Sequence, residues 1–465
     1  MDGLECTEVM ISAVHCSTDY FRLEPEYFNA PSLSYGVTKT GREIIKGIQY
    51  GTSNACDEIN DGYPVLRLNE IHHGFIETPQ KYCHTLSKTE YQSLRLKKDD
   101  VLVIRTNGNP DLVGRAAVVM EDTEYAFASY LFRVFVGSDI NPYTIVAFLS
   151  GKYGRVEIDK NSMKGNQTNF SPAKFCDVNF PILEISLQDE IKRLFECAYQ
   201  KRNASISSYQ QAESRLMSEL AFSNVTNNSG NFSIKRMSES FGVSGRLDAE
   251  YYQPKYESIQ RALNAKDTVR TLCKLHDRTF LPKPNEEYRY IELADVGTSG
   301  FIADVESQRG VDLPTRARRK VKRGQVIVSS VEGSLQSCAL ITDEYDNALC
   351  STGFYVVDSA KINPETLLVL FKSEPMQALM KQRCSGTILT AISKDEFLSM
   401  PLPFIGDDVQ IEIAQKVRES FSLRRQSEKL IETAVKAVEI AIEQDEAAAV
   451  EWLNTTTAYI IGESK

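Results

Sequence analysis

Ile140-Asn141-Pro142-Tyr143-Thr144 returns as Ile362-Asn363-Pro364-Glu365-Thr366, an offset of 222 residues. One short match carries little weight, so the test is whether its neighbours repeat in the same order. They do. Toward the N-terminus, Lys98-Asp99-Asp100-Val101-Leu102-Val103 answers Arg323-Gly324-Gln325-Val326-Ile327-Val328, and Gly74-Phe75-Ile76 answers Gly300-Phe301-Ile302. Leu66–Ile71 then answers Ile291–Val296, and Arg22–Phe28 answers Arg246–Tyr252. Toward the C-terminus, Ser171, Phe175 and Pro181 answer Ser393, Phe397 and Pro403, with the offset held between 222 and 226 throughout. The chain is therefore written twice. Each copy opens with short strand-like runs punctuated by Gly, Asn, Asp and Pro, among them Val101–Arg105 and Val326–Ser330.

Each copy ends in a long helical pattern. Gln188–Leu220 contains no Pro or Gly and places Ile191, Leu194, Phe195, Ala198, Tyr209, Ala212, Leu216 and Leu220 near multiples of 3.6 residues. The second pattern starts at Gln410, carries Ile413, Val417, Phe421, Ile431, Ala434, Val438 and Ala441, and is expected to continue to about Ala448. Each helix would span roughly 50 to 60 Å. An apolar stripe of that length needs a partner, and the expected partner is the other copy's helix, antiparallel to it. Packing of each helix onto its own domain is the alternative. Phe222–Phe241, rich in Ser and Asn, reads as a linker.

With 465 residues the chain exceeds one ordinary core. No window approaches the roughly 18 apolar residues of a membrane span, and the start Met1-Asp2-Gly3-Leu4-Glu5 lacks the pattern of a signal peptide. A cytoplasmic protein is expected. The ten cysteines include no C-x-x-C pair and the five histidines no metal-spaced set, so reduced thiols without structural zinc are expected.

Motifs of catalysis are missing from the sequence. There is no phosphate-binding loop, nucleophile elbow or H-E-x-x-H. Asn141-Pro142-Tyr143 lacks the second Pro and the glycine-rich loop of an amino-methyltransferase, and Pro110-Asp111 is followed by no nuclease-like Glu-x-Lys. A non-catalytic chain is expected, with no cofactor of its own.

Binding signals are stronger. A net charge of −10 argues against nucleic acid until the positions of the charges are read. Arg316, Arg318, Arg319, Lys320, Lys322 and Arg323 put six cations into eight positions, a basic loop suited to a phosphate backbone, while Glu428, Glu432, Glu439, Glu443 and Glu446 gather in the second helix. Solvated charge is the plain alternative for any such run. In the first copy, Arg105-Thr106-Asn107-Gly108-Asn109 supplies side chains that read base edges, Arg pairing with guanine and Asn with adenine. A second donor-rich loop, Lys164-Gly165-Asn166-Gln167-Thr168-Asn169, has the counterpart Ser385-Gly386-Thr387-Ile388-Leu389-Thr390. Both loops also fit ordinary polar turns.

These residues resemble the specificity subunits of Type I restriction-modification enzymes. The likeness rests on Tyr50-Gly51-Thr52-Ser53 before Pro64-Val65-Leu66-Arg67, on Arg105-Thr106-Asn107 and Ser385-Gly386-Thr387, on Leu402-Pro403, and on the helix starts at Gln188 and Gln410. The second copy departs from it, with Lys283-Pro284-Asn285-Glu286 in place of the Tyr-Gly-Thr-Ser entry.

The resemblance implies a mixed α/β fold with two tandem target-recognition domains and two long antiparallel coiled-coil helices, a pseudo-two-fold repeat. The expected order is a first recognition domain over 1–183, a helix over 184–222, a linker over 223–244, a second recognition domain over 245–405, a helix over 406–448 and a tail over 449–465. It implies a reader of bipartite double-stranded DNA whose helices set the unread spacing. Two adenine methyltransferase subunits would dock on the helices and use S-adenosylmethionine, and restriction subunits would use ATP and Mg. Expected DNA contacts are Tyr50, Thr52, Ser53, Arg105, Thr106, Asn107, Asn109, Lys164, Asn166, Gln167 and Thr168 in the first copy. In the second they are Arg316, Arg318, Arg319, Lys320, Lys322, Thr387 and Thr390. A recognition adaptor from a related phage-defence system, or a coiled-coil scaffold that binds only protein, are the competing readings.

Overall fold

A computed structural model describes residues 8–16, 28, 35–72, 74–163, 167–220, 222, 233–238, 240–241, 245–303, 305–386 and 390–462. They fold as two compact units, one within 1–202 and 424–465 and the other within 203–423. No helix among the described residues is long and apolar enough to cross a membrane.

In the first unit a six-stranded sheet runs in the order Ile45–Tyr50, Leu131–Val136, Val101–Ile104, Ala116–Val118, Gly74–Ile76, Ile71–His72. Strand Val101–Ile104 is buried on both faces, which explains its unbroken apolar run. Val101 and Val103 enter one core with Phe132, Phe195 and Leu430, whereas Leu102 and Ile104 enter a second core with Val65, Leu66 and Leu96. That second core also covers a small sheet in which Ala126–Phe127 runs parallel to Tyr63–Leu66.

The second unit repeats this plan. Its four-stranded sheet, Lys274–Leu275, Phe354–Asp358, Val326–Ser329, Cys338–Leu340, keeps the order of the first four strands above. Val326 and Val328 face one core and Ile327 the other. A second sheet again holds a parallel pair, Glu287–Ile291 with Leu349–Ser351. Gly74 and Gly300 occupy equivalent positions at φ +78° and +75°, and a Cβ at either would meet a core side chain, Phe195 at 3.0 Å or Leu368 at 2.6 Å.

The quoted pentapeptides prove to be helix starts. Asn141 caps Pro142–Ser150 by accepting from the Thr144 N–H, and Asn363 caps Pro364–Lys372 by accepting from the Thr366 N–H, both at 2.8 Å with Pro in the first turn. A buried glutamine locks each cap to its long helix. Asn141 N–H donates to Gln188 Oε1 at 2.7 Å and Asn141 Nδ2 to the Gln188 carbonyl at 2.8 Å. Gln188 Nε2 in turn donates to the Asp139 and Leu183 carbonyls. Asn363 and Gln410 repeat all four bonds with Lys361 and Ile405, each partner shifted by 222 residues. Gln188→Ala and Gln410→Ala are each expected to lower stability by about 1–3 kcal/mol, because each leaves buried backbone groups unpaired. Urea unfolding of either variant with an unchanged midpoint would deny the network that role.

The long helices are Ile185–Glu219 and Asp407–Glu443. Within the second unit Ser205 Oγ donates to the Ser420 carbonyl at 2.8 Å, Ser208 Oγ to the Lys416 carbonyl at 3.0 Å, and Arg215 pairs with Glu412 at 2.5 Å. Rising numbers meet falling ones, so the pairing is antiparallel. Within the first unit Ser427 Oγ donates to the Ala198 carbonyl at 2.7 Å, and Ile191, Leu194 and Ala198 share a core with Leu430, Ala434, Val438 and Ala441. The second helix stops at Glu443, short of the expected Ala448. Asp445 Oδ1 then accepts from the Ala448 N–H and starts a further helix, Glu446–Gly462, whose Ala449 and Leu453 join the first unit's core. The linker expected over 223–244 lies mostly outside the described residues.

Candidate nucleic-acid interface

The two donor-rich loops of the first copy meet. Thr106–Asn107 and Thr168–Asn169 form a short antiparallel ribbon, with Asn107 opposite Thr168 and Thr106 opposite Asn169. The Phe170 N–H donates to the Arg105 carbonyl at 2.7 Å, and the Arg105 N–H to the Tyr130 carbonyl at 2.8 Å. The Arg105 guanidinium lies 5.5 Å from the Tyr50 ring centroid, and its buried Nε has no hydrogen-bond partner. Tyr50 is 49% exposed, so Arg105 lies against one large exposed aromatic, and Tyr130, whose carbonyl accepts the Arg105 N–H, is 43% exposed. Sequence reading missed Tyr130, whose only signal was its place directly before strand Leu131–Val136.

The remaining first-copy residues divide by role. Asn107 Oδ1 accepts from the Asn109 N–H at 2.8 Å and Asn109 Oδ1 from the Asp111 N–H at 3.0 Å, a pair of turns that fixes the loop and leaves both amide NH2 groups to donate. Gln167 is exposed, and its Oε1 lies 3.5 Å from the Thr106 hydroxyl. Thr52 is buried, with its Oγ1 accepting from the Asn54 N–H at 3.1 Å, so it shapes its turn, and Ser53 beside it is exposed. Lys164 and Asn166 lie outside the described residues.

The second unit builds the same frame from different side chains. The Ser330 N–H donates to the Gly353 carbonyl at 2.8 Å and the Ile392 N–H to the Ser330 carbonyl at 2.8 Å, matching the two bonds around Arg105. Val331 pairs with Ala391, and the Glu332 N–H donates to the Thr390 carbonyl at 3.0 Å. Ser330, Val331 and Glu332 thus stand where Arg105, Thr106 and Asn107 stand, and Thr390 where Thr168 stands. Thr387 lies outside the described residues.

The basic segment is not the loop its charge suggested. Ala317–Lys320 is a strand, at the edge of the sheet it shares with Leu349–Ser351, with a register shift between Ala317 and Arg319. Alternation therefore separates its cations. Arg319 turns inward, with Nε and Nη1 buried and unbonded. Arg316 is drawn aside by Glu292, 3.4 Å away; Glu292 first, then the Tyr290 hydroxyl, holds its guanidinium above the ordinary arginine range. Arg323 pairs with Asp343 at 2.7 Å. Arg318, Lys320 and Lys322 make no ion pair within 4 Å among the described residues, although Lys320 also lies over the Phe280 ring. The described residues contain no His, Cys, Asp and Glu cluster able to hold a metal ion.

No protein-family profile matches the chain, and no curated protein does. Three solved structures are similar to it over most of its length. One is a Type I restriction-modification S subunit from M. genitalium, at 11% identity and a TM-score of 0.36, covering 87% of this chain and 94% of that one. A second belongs to a type I R-M system described for its complex assembly and conformational transition, at 11% identity and 0.28, covering 87% and 99%. The third is an HsdS subunit from Thermoanaerobacter tengcongensis, at 12% identity and 0.29, covering 88% and 97%.

Proposed function

We propose that this chain is the DNA-reading specificity subunit of a Type I restriction-modification assembly, each of its two units reading one half of a bipartite target. The observation that carries this reading is the duplicated ribbon. One backbone frame appears twice, with Arg105 and Asn107 on the first copy and Ser330 and Glu332 on the second. A scaffold that binds only protein has no need to keep the frame and change the donors. A reader of two different half-sites does, because base edges are told apart by their donor and acceptor patterns.

Arg105 is assigned to a guanine through its terminal NH groups, stacked and held by Tyr50, and Asn107 to a neighbouring adenine. Phosphate contacts are assigned to Arg318, Lys320 and Lys322. The long helices are assigned the unread spacing, adenine methyltransferase subunits the S-adenosylmethionine chemistry, and restriction subunits the ATP and Mg. The chain itself is assigned no catalysis and a cytoplasmic location.

The test is Arg105→Ala in a selection from randomised duplexes. Preference is expected to relax at one base pair of one half-site by about 1–3 kcal/mol, with the other half untouched. An equal loss on every sequence would move Arg105 to the phosphate backbone instead.

A further inference from the structure

Glu332 is an unusual side chain to find on a surface assigned to DNA. It is half-buried, it makes no ion pair or side-chain hydrogen bond among the described residues, and its N–H is fixed on the Thr390 carbonyl. Its place in the frame is that of Asn107, since Asn107 lies opposite Thr168 just as Glu332 bonds to Thr390. A carboxylate can only accept hydrogen bonds, and facing phosphates it would be repelled. Among the groups on major-groove base edges, the one that suits it is an amino donor without an adjoining acceptor on the same base, the N4 of cytosine. An adenine edge presents N7 beside N6, which suits the amide of Asn107 and leaves a carboxylate facing a lone pair.

We infer that Glu332 is a specificity-determining residue of the second unit, accepting from a cytosine N4 amino group in the half-site that Arg105 does not read. This rests on the DNA-reading function proposed above. Asn107 and Glu332 are then the same reading position set for different bases, and the target is asymmetric at that position.

The test uses the full chain and duplexes selected from a randomised library. The wild type is expected to select cytosine at one position of the half-site that Arg105→Ala leaves unchanged. Glu332→Gln should move that choice to adenine, and Glu332→Ala should flatten it by about ten- to a hundredfold while the rest of the motif stays. A measurement on the unaltered protein removes any dependence on variant folding. N4-methylcytosine keeps the base pair but fills the amino position in the major groove, and should weaken binding about tenfold or more. A retained cytosine preference in both variants, or indifference to N4-methylcytosine at every position of that half-site, would overturn the assignment of Glu332 and leave the DNA-reading function standing. A wild-type chain that enriches no sequence would instead remove that function, and this inference with it.

Discussion

Asp100→Ala is expected to destabilise the first unit by about 3–5 kcal/mol, because it strands a buried cation. Arg133 is 5% exposed. Its Nη1 donates to Asp100 Oδ2 at 2.9 Å and to the Arg95 carbonyl at 2.9 Å, and its Nη2 to the Ser93 carbonyl at 2.8 Å. Its guanidinium also lies 4.7 Å from the Phe135 ring centroid. Removing the carboxylate takes away the charge partner and the acceptor for the Lys97 N–H, while the other bonds hold the guanidinium inside. The repeat supplies its own control. In the second unit Gln325 accepts from the Lys322 N–H as Asp100 does from Lys97, and Val356 fills the strand position of Arg133 beside buried Ile327. The double variant Asp100→Gln, Arg133→Val imports that neutral solution and should recover most of the loss, as replacing a whole buried ion pair usually does. Urea unfolding measures both. A loss below about 1 kcal/mol in Asp100→Ala would mean that water reaches Arg133 after all.

The second large effect concerns affinity. Replacing Arg318, Lys320 and Lys322 together with Gln should lower the dependence of log K on log salt by about 2.7, if each contacts one phosphate. Binding should fall on specific and non-specific duplexes alike, because phosphate contacts carry no sequence information. The same change at Arg316, Arg319 and Arg323 should move the slope far less. Arg316 and Arg323 are already paired with Glu292 and Asp343, and Arg319 has its Nε and Nη1 buried. Titrations at several salt concentrations decide between the two triplets. Equal slopes for both variants and the wild type would make the strand a merely solvated edge.

The duplication was legible because the cap and core constraints repeat residue by residue: Asn141 and Asn363 are locked to their glutamines, and the strands that begin at Val101 and Val326 are buried on both faces. The helical stripe was legible for the same reason, and Ile191, Ala198, Leu216, Ile413 and Ala434 are all buried. The basic strand departs from the solvated loop that its Lys and Arg suggest because its position follows from pairing with Leu349–Ser351, a contact across about thirty residues that no local pattern reveals. The end of the second helix was blurred because neither Pro nor Gly marks it, although Asp445 before Glu446 is an N-cap signal. In the candidate interface, sequence supplied the donors of the first copy. It did not supply the ribbon joining Thr106–Asn107 to Thr168–Asn169, nor Glu332, because the equivalence of positions is visible only once the backbone bonds are known.

The duplicated frame as two independent readers is tested most directly by one selection. The full chain, its Arg105→Ala variant and its Thr390→Ala variant would each enrich duplexes from one randomised library. Two separated half-sites are expected, with Arg105→Ala altering only the first and Thr390→Ala altering at most the second, at unchanged spacing. A single undivided motif, or changes from both variants within the same half-site, would contradict two readers built on one frame.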